Sequence, residues 1–72
     1  MPDSTFWLAK FEAELEQLRG VTRPEVLDRI RAAKEFSNTT DNAEFEEAKN
    51  ELAFVDGRIM TLEHILANAV MI

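Results

Sequence analysis

The sequence predicts an all-α fold: an antiparallel coiled-coil helical hairpin whose first arm is kinked. Apolar residues recur at alternating three- and four-residue intervals in both halves of the 72-residue chain. The chain has only two glycines and two prolines, one of them Pro2 at the terminus, so long helices are allowed. Small polar residues at 37–42 separate the halves and favour a turn. Because this connection is short, the arms must run antiparallel, and residues 1–72 form a single domain.

The second half carries the longest apolar pattern. Its residues follow a heptad seam with charged residues on the other faces: Phe45, Ala48, Leu52, Val55, Ile59, Leu62, Leu66 and Ala69. The pattern predicts a helix from about 42 to 68, roughly 40 Å long. Gly57 lies inside it at a cost of about 1 kcal/mol relative to alanine, so we expect a close neighbour or a bend there. We expect Phe54 to be a packing residue.

The first half is predicted to be helical but interrupted. Its first segment repeats at helical spacing through Leu8, Phe11, Leu15 and Leu18. Gly20 then breaks the pattern, and Thr22 with Glu25 three residues later forms a capping box for a new helix. Pro24 falls in the first turn of that helix, where its missing N–H costs little. A kink near 20–24 follows from this pattern.

Aromatic residues are concentrated at the end of the hairpin away from the turn. We expect Trp7 and its neighbours to pack there as core, the usual role of such a cluster. The neighbours are Phe6 and Phe11, and the expected partners are Leu66, Val70 and Met71. His64 has no partner pattern and is expected to face solvent.

The bulk composition excludes several classes of function. The net charge of −6, from 14 acidic and 8 basic residues, argues against wrapping a nucleic-acid duplex. The chain lacks cysteine, which excludes disulfides and Cys-based zinc sites, and its single histidine argues against a His-based metal site. No apolar run approaches the roughly 20 residues of a membrane span, and no signal peptide opens the chain. We therefore expect a cytoplasmic monomer that is not itself an enzyme, since no nucleophile–base arrangement is present.

Several short motifs occur in a recognisable order. They are Arg-Pro-Glu at 23–25, Asp-Asn-Ala-Glu-Phe at 41–45, Gly-Arg-Ile at 57–59 and Leu-Ala-Asn-Ala at 66–69. In combination they resemble the N-terminal domain of the bacterial Gre transcript cleavage factors, across nearly the whole chain. Because a free C-terminus is usually more polar than the apolar end at 69–72, we expect the natural protein to continue into a second domain.

The resemblance implies a concrete activity. Gre factors insert this coiled coil into the secondary channel of bacterial RNA polymerase, and its tip reaches the active centre of a backtracked enzyme. Acidic tip residues help to hold a magnesium ion and its water, so that the polymerase cleaves the extruded RNA 3′ end. The implied partners are RNA polymerase, the nascent RNA and, indirectly, DNA. The implied cofactor is Mg²⁺ at the polymerase active centre, with none of the chain's own.

The resemblance also assigns the tip residues. The family's tip normally carries an acidic pair, whose second member matches Asp41 and whose first falls on Asn38 here. Asparagine offers a carbonyl oxygen but no negative charge, and Mg²⁺ prefers carboxylates. Glu44 follows one turn down the helix, and Asp41 with Glu44 also forms a capping box. Three interpretations stay open: a cleavage factor that relies on Asp41 and Glu44, a channel-binding modulator or inhibitor without cleavage, and a generic coiled-coil interaction module.

Basic residues flank the predicted tip. Lys34 and Lys49 match positions where the family often has arginine, and Phe45 matches an aromatic, so all three are candidates for RNA or polymerase contact. The alternative is solvated charge for the lysines and packing for Phe45. The second helix is distinctly basic, through Arg23, Arg29, Arg31 and Lys34. These residues form either a patch facing RNA or the charge partners of Glu46, Glu47 and Glu51.

Overall fold

Two helical arms make up the part of the chain that the structure describes. In a computed structural model of the protein, residues 6–36 and 43–70 are described. The first arm contains α1 (Phe6–Gln17), a π-helical segment (Leu18–Thr22) and α2 (Arg23–Phe36), and the second arm is α3 (Ala43–Val70). All of these described residues are helical, so the all-α prediction is confirmed. The molecule measures 55 × 17 × 17 Å, and its radius of gyration of 16.3 Å exceeds the roughly 11 Å of a compact domain this size.

The core is a single seam between the arms. Its buried members come from the middle of both arms: Leu15, Val26, Val55, Ile59 and Leu62. Partly buried residues extend it at both ends: Phe11, Leu18, Ile30, Leu52 and Leu66. Ala48 is also buried and Phe45 is half-buried. The heptad seam predicted for the second half is therefore confirmed from position 45 to position 66.

Ion pairs between the arms fix their direction. Arg29 pairs with Glu51 at 2.5 Å, Arg23 pairs with Asp56 at 2.7 Å, and Arg19 pairs with Glu63. As the position on the first arm falls from 29 to 19, the position on α3 rises from 51 to 63. The arms therefore run antiparallel, which confirms the hairpin.

The interruption predicted near 20–24 is present as a π-helical segment, but the new N-cap predicted there is wrong. Helix continues from Phe6 to Phe36, and the capping box at Thr22 does not form because Thr22 lies within the π-helical segment. A proline inside an α-helix removes a donor and clashes with the carbonyl four residues earlier, here that of Gly20. The wider π turn, in which the Arg23 N–H bonds to the Leu18 carbonyl, absorbs this misfit just before Pro24. Gly20 does not adopt a positive φ, so it acts as an ordinary helical residue.

The packing expected of Phe54 is wrong. Its side chain is 77% exposed, because position 54 lies outside the seam defined by Leu52, Val55 and Ile59. The prediction of a close neighbour at Gly57 is also wrong, since a Cβ added there would meet no atom of the described residues within 4 Å. Both residues lie on the side of α3 that faces away from the first arm.

The aromatic cluster forms only in part. Trp7 packs edge-on against Phe11, with ring centroids 5.6 Å apart at 74°, and Phe11 in turn packs against the core. Leu66 joins the same core. Phe6 does not, because it is 62% exposed with the Lys10 ammonium 5.8 Å from its ring centroid. The predicted contacts to Val70 and Met71 lie outside the described side chains.

Candidate functional site

The predicted tip lies only partly within the described structure. Asn38 and Asp41 fall in the segment 37–42, outside the described residues, and so does the proposed cap by Asp41. Glu44 is described: it is exposed in the first turn of α3, which also holds Glu46. Carboxylates there stabilise a helix because they lie near the positive end of its dipole. Glu44 therefore has a structural role and remains accessible to a partner.

Lys49 and Phe45 form one unit on the surface of α3. The Lys49 ammonium lies 5.2 Å from the centroid of the Phe45 ring, one helical turn earlier. Such a cation–π contact stabilises by about 0.5–1 kcal/mol at exposed sites. Phe45 is half-buried and Lys49 is exposed, so the ring holds the ammonium in place while leaving it available to an external anion.

Lysines and arginines behave differently in the described structure. Every arginine pairs with a carboxylate: Arg19, Arg23, Arg29, Arg31 and Arg58. No lysine ion pair occurs among residues 6–36 and 43–70. Lys34 lies exposed in the last turn of α2, where a positive charge is favourable for the helix dipole. Lys34 and Lys49, the two lysines nearest the turn, therefore remain accessible cations, as does Lys10 at the far end of the first arm.

The basic character of α2 mostly serves the hairpin itself. Hydrogen bonding to Glu51 raises the pKa of Arg29 above its ordinary value, and Asp56 does the same to the pKa of Arg23. Glu51 is one of the predicted charge partners, and that alternative is confirmed for Arg29. Arg31 pairs within its own helix, 3.9 Å from Asp28. The arginines of α2 therefore do not form a continuous patch that could face RNA.

A further ion pair ties the base of the hairpin together. Arg58 donates two hydrogen bonds to Glu14, from Nε at 2.7 Å and from Nη2 at 3.0 Å. This fork lowers the pKa of Glu14 from its ordinary value. The Arg58 guanidinium also lies 5.9 Å from the Phe11 ring centroid. The arginine of the Gly-Arg-Ile motif thus holds the two arms together, a structural role that its sequence pattern does not indicate.

Metal binding by the chain alone finds no support in the described part. Within residues 6–36 and 43–70, no group of three potential ligand side chains comes together. Mg²⁺ takes near-octahedral oxygen coordination, and Glu44 would supply one carboxylate. The described residues therefore do not by themselves assemble a magnesium site.

Sequence reasoning missed an uncharged surface on α3, which we call the outer face. It consists of nine exposed residues facing away from the first arm: Asn50, Ala53, Phe54, Gly57, Met60, Thr61, His64, Ala67 and Asn68. The signal was present as a second run of three- and four-residue spacings. His64 is exposed as predicted, and its Nε2 lies 2.9 Å from the Asn68 side-chain amide. Within the described helices, no segment is long and apolar enough to cross a membrane.

Comparisons with known proteins agree on one family. The family described as "Transcription elongation factor, N-terminal" matches residues 6–71. The chain is similar to transcription elongation factor GreA of Bacillus velezensis, 51% identical over 63 residues, which is 88% of this chain and 40% of that protein. GreA of Thermoanaerobacter pseudethanolicus is 51% identical over 65 residues, 90% of this chain and 41% of that protein. GreA of Limosilactobacillus fermentum is 52% identical over 64 residues, which is 89% of this chain and 40% of that protein. The chain spans about two fifths of these relatives' length, and no solved structure matches it.

Proposed function

Because this chain belongs to the family of N-terminal domains of Gre-type transcription elongation factors, we propose that it inserts into the secondary channel of RNA polymerase and stimulates cleavage of backtracked RNA. The observation that carries the proposal is the shape of the hairpin, 55 Å long and 17 Å across, with an exposed carboxylate, Glu44, near the turn. A rod of these proportions can deliver a carboxylate into a narrow opening. The chain would act on the nuclease activity of its partner and would not be an enzyme itself.

The tip residues act as oxygen ligands in this proposal. A magnesium ion of the polymerase, when bound, supplies the Lewis acidity that activates water for RNA cleavage. Asp41 and Glu44 would orient that ion and its water, and the Asn38 side chain would offer a neutral carbonyl oxygen. Because Asn38 carries no negative charge, we expect slower cleavage than an acidic pair at the tip would give.

Lys34, Lys49 and Phe45 form the second part of the proposed contact. Both ammonium groups are exposed and lack an ion pair among the described residues, so they can approach the phosphates of the extruded RNA 3′ end. Contact with DNA would be indirect, through the polymerase. Lysine presents a point charge where arginine offers a bidentate fork, so this contact positions the RNA loosely.

A second candidate function follows from the amide at position 38. A hairpin that enters the channel with too little charge at its tip would occupy the channel and modulate or inhibit elongation without cleavage. Either function places the chain with the polymerase in the bacterial cytoplasm, as a monomer whose apolar seam is satisfied internally.

Cleavage in backtracked elongation complexes tests the proposal. The chain would be compared with Asn38→Asp and Asp41→Asn at saturating concentration, with Glu16→Gln as an exposed-carboxylate control far from the tip. We expect slow cleavage by the natural chain, faster cleavage by Asn38→Asp, loss of cleavage in Asp41→Asn and no change in the control. Cleavage by Asn38→Asp alone would support the modulator. Polymerase that binds none of the variants would exclude both functions.

A further inference from the structure

Charge is distributed very unevenly between the two sides of the hairpin. On the first arm, ten of the nineteen exposed positions carry a charged side chain. On α3 between positions 50 and 68, one of the ten exposed positions does, and that residue, Glu63, is paired with Arg19. A helix exposed to water usually carries charge on its solvent side. The outer face of α3 departs from that rule over about 27 Å of helix.

The remaining charges of this stretch are all drawn towards the first arm. Glu51, Asp56 and Arg58 are half-buried and pair with Arg29, Arg23 and Glu14 respectively. Ion pairing within the hairpin therefore leaves the outer face without a formal charge. A protein surface that presses against it would not have to desolvate an ion, which is the main penalty for burying polar surface.

The outer face combines protruding side chains with a gap between them. Phe54 is 77% exposed and Met60 is 67% exposed, and they project on either side of Gly57, where a Cβ would meet no described atom within 4 Å. Ala53 and Ala67 keep the surrounding surface low. Large exposed apolar side chains beside a small-residue gap are suited to contact with an apolar protein surface, with Phe54 as the anchor.

We infer that the outer face of α3 is the side of the hairpin that packs against the protein wall of the polymerase channel, with Phe54 as its anchor. This inference rests on the proposed function and specifies how the hairpin is oriented in the channel. The charged first arm then faces the water-filled side. Binding through the outer face adds to affinity without contributing to cleavage chemistry, which stays at the tip.

A second copy of the chain fits the outer face less well. The strip is about 27 Å long and one helix, about 10 Å, wide, so its footprint is roughly 300 Å². Stable interfaces bury about 800 Å² on each partner. Each copy also carries a net charge of −6, which opposes association. Such a small patch is suited to a hairpin that a channel already surrounds.

Equilibrium binding of the fluorescently labelled chain to RNA polymerase tests the inference. The variant is Phe54→Ser, and the matched control is Phe6→Ser, which removes a phenylalanine that is 62% exposed on the first arm. We expect Phe54→Ser to weaken binding about tenfold and the control to change it less than twofold. The loss should be the same at low and high salt because the contact is apolar. Circular dichroism should show both variants as helical as the natural chain.

Oxidation of Met60 provides a readout that needs no substitution. Polymerase should slow peroxide oxidation of the Met60 sulfur, whose side chain is 67% exposed, relative to its oxidation in the free chain under the same conditions. Equal binding by Phe54→Ser, or an unprotected Met60 in a chain that binds, would overturn the inference and leave the proposed function standing. A chain that fails to bind polymerase would overturn both. Sedimentation showing a dimer that Phe54→Ser dissociates would assign the outer face to a second copy instead.

Discussion

The shaft and the apex of the hairpin are built on different principles. The shaft, residues 11–30 and 51–66, holds the whole buried cluster and four ion pairs between the arms. The described residues of the apex, 31–36 and 43–50, include one buried side chain, Ala48, and no ion pair between the arms. The difference teaches that stability is concentrated away from the predicted site, so apex variants should change activity without unfolding the rod.

The largest expected effect is in the middle of the shaft. Leu62 is 0% exposed, and Leu62→Ala should lower the free energy of unfolding by about 2–5 kcal/mol because it leaves a cavity in the seam. A small domain has only about 5–15 kcal/mol in total, so the variant should melt far below the natural chain. Urea unfolding followed by circular dichroism measures this. Met60→Ala, on the exposed side of the same helix, should change it by less than about 0.5 kcal/mol.

A smaller effect of opposite sign is expected at Gly57. Gly57→Ala should stabilise the hairpin by about 0.5–1 kcal/mol, because alanine favours the helix and its methyl group meets nothing within 4 Å. The same urea titration measures the gain. Destabilisation would show that another surface packs against Gly57 in the free chain, contrary to the open outer face described above.

The ion pair at the base of the shaft makes a pH-dependent contribution. The pKa of Glu14 is lowered by Arg58, so the folded state prefers the ionised carboxylate. Its stabilising effect is present above the ordinary value of 4.5 and is lost as the pH falls through the lower folded pKa. Glu14→Gln should therefore lower the melting temperature at pH 7, and this loss should become progressively smaller as the pH is lowered from 4.5 to 2. Glu16→Gln, an exposed carboxylate on the same helix, serves as the control, and an equal loss at pH 7 and at pH 2 would contradict the assignment.

The smallest effect on stability is expected from the apex lysines. Lys34→Ala and Lys49→Ala should each change the free energy of unfolding by less than about 0.5 kcal/mol, because the higher helix propensity of alanine offsets much of the lost helix-dipole contribution of Lys34 and the lost Phe45 contact of Lys49. Each should weaken binding to a backtracked complex and flatten its dependence on salt by about one phosphate contact. Lys10→Ala, at the opposite end of the rod, should do neither. An unchanged salt dependence in both apex variants would remove the RNA contact from the proposal.

The sequence predicted the shaft well because one repeating pattern specifies it. The apolar stripe from Ala48 to Leu66 can be buried only against another helix. The short polar segment at 37–42 predicts that this helix runs antiparallel to the first arm. The prediction of a helix N-cap at Thr22 was wrong, because a capping-box sequence can also lie inside a helix when a π turn accommodates the following proline, Pro24. Phe54 was assigned to the core on residue type alone, although its position lies outside the seam. Tip chemistry rested on family resemblance, since Asn38 and Asp41 have no spacing pattern that separates a ligand from a turn residue.

Competitive binding to RNA polymerase tests the central claim most directly. The labelled chain would be bound to the enzyme and then titrated with full-length GreA of Bacillus velezensis, one of the relatives to which the chain is similar. The account predicts complete displacement, because the proposed function has the two proteins compete for one site, and no displacement by a GreA variant from which the region similar to this chain has been removed. Simultaneous binding of the chain and intact GreA, or no binding of the chain at any concentration, would contradict it.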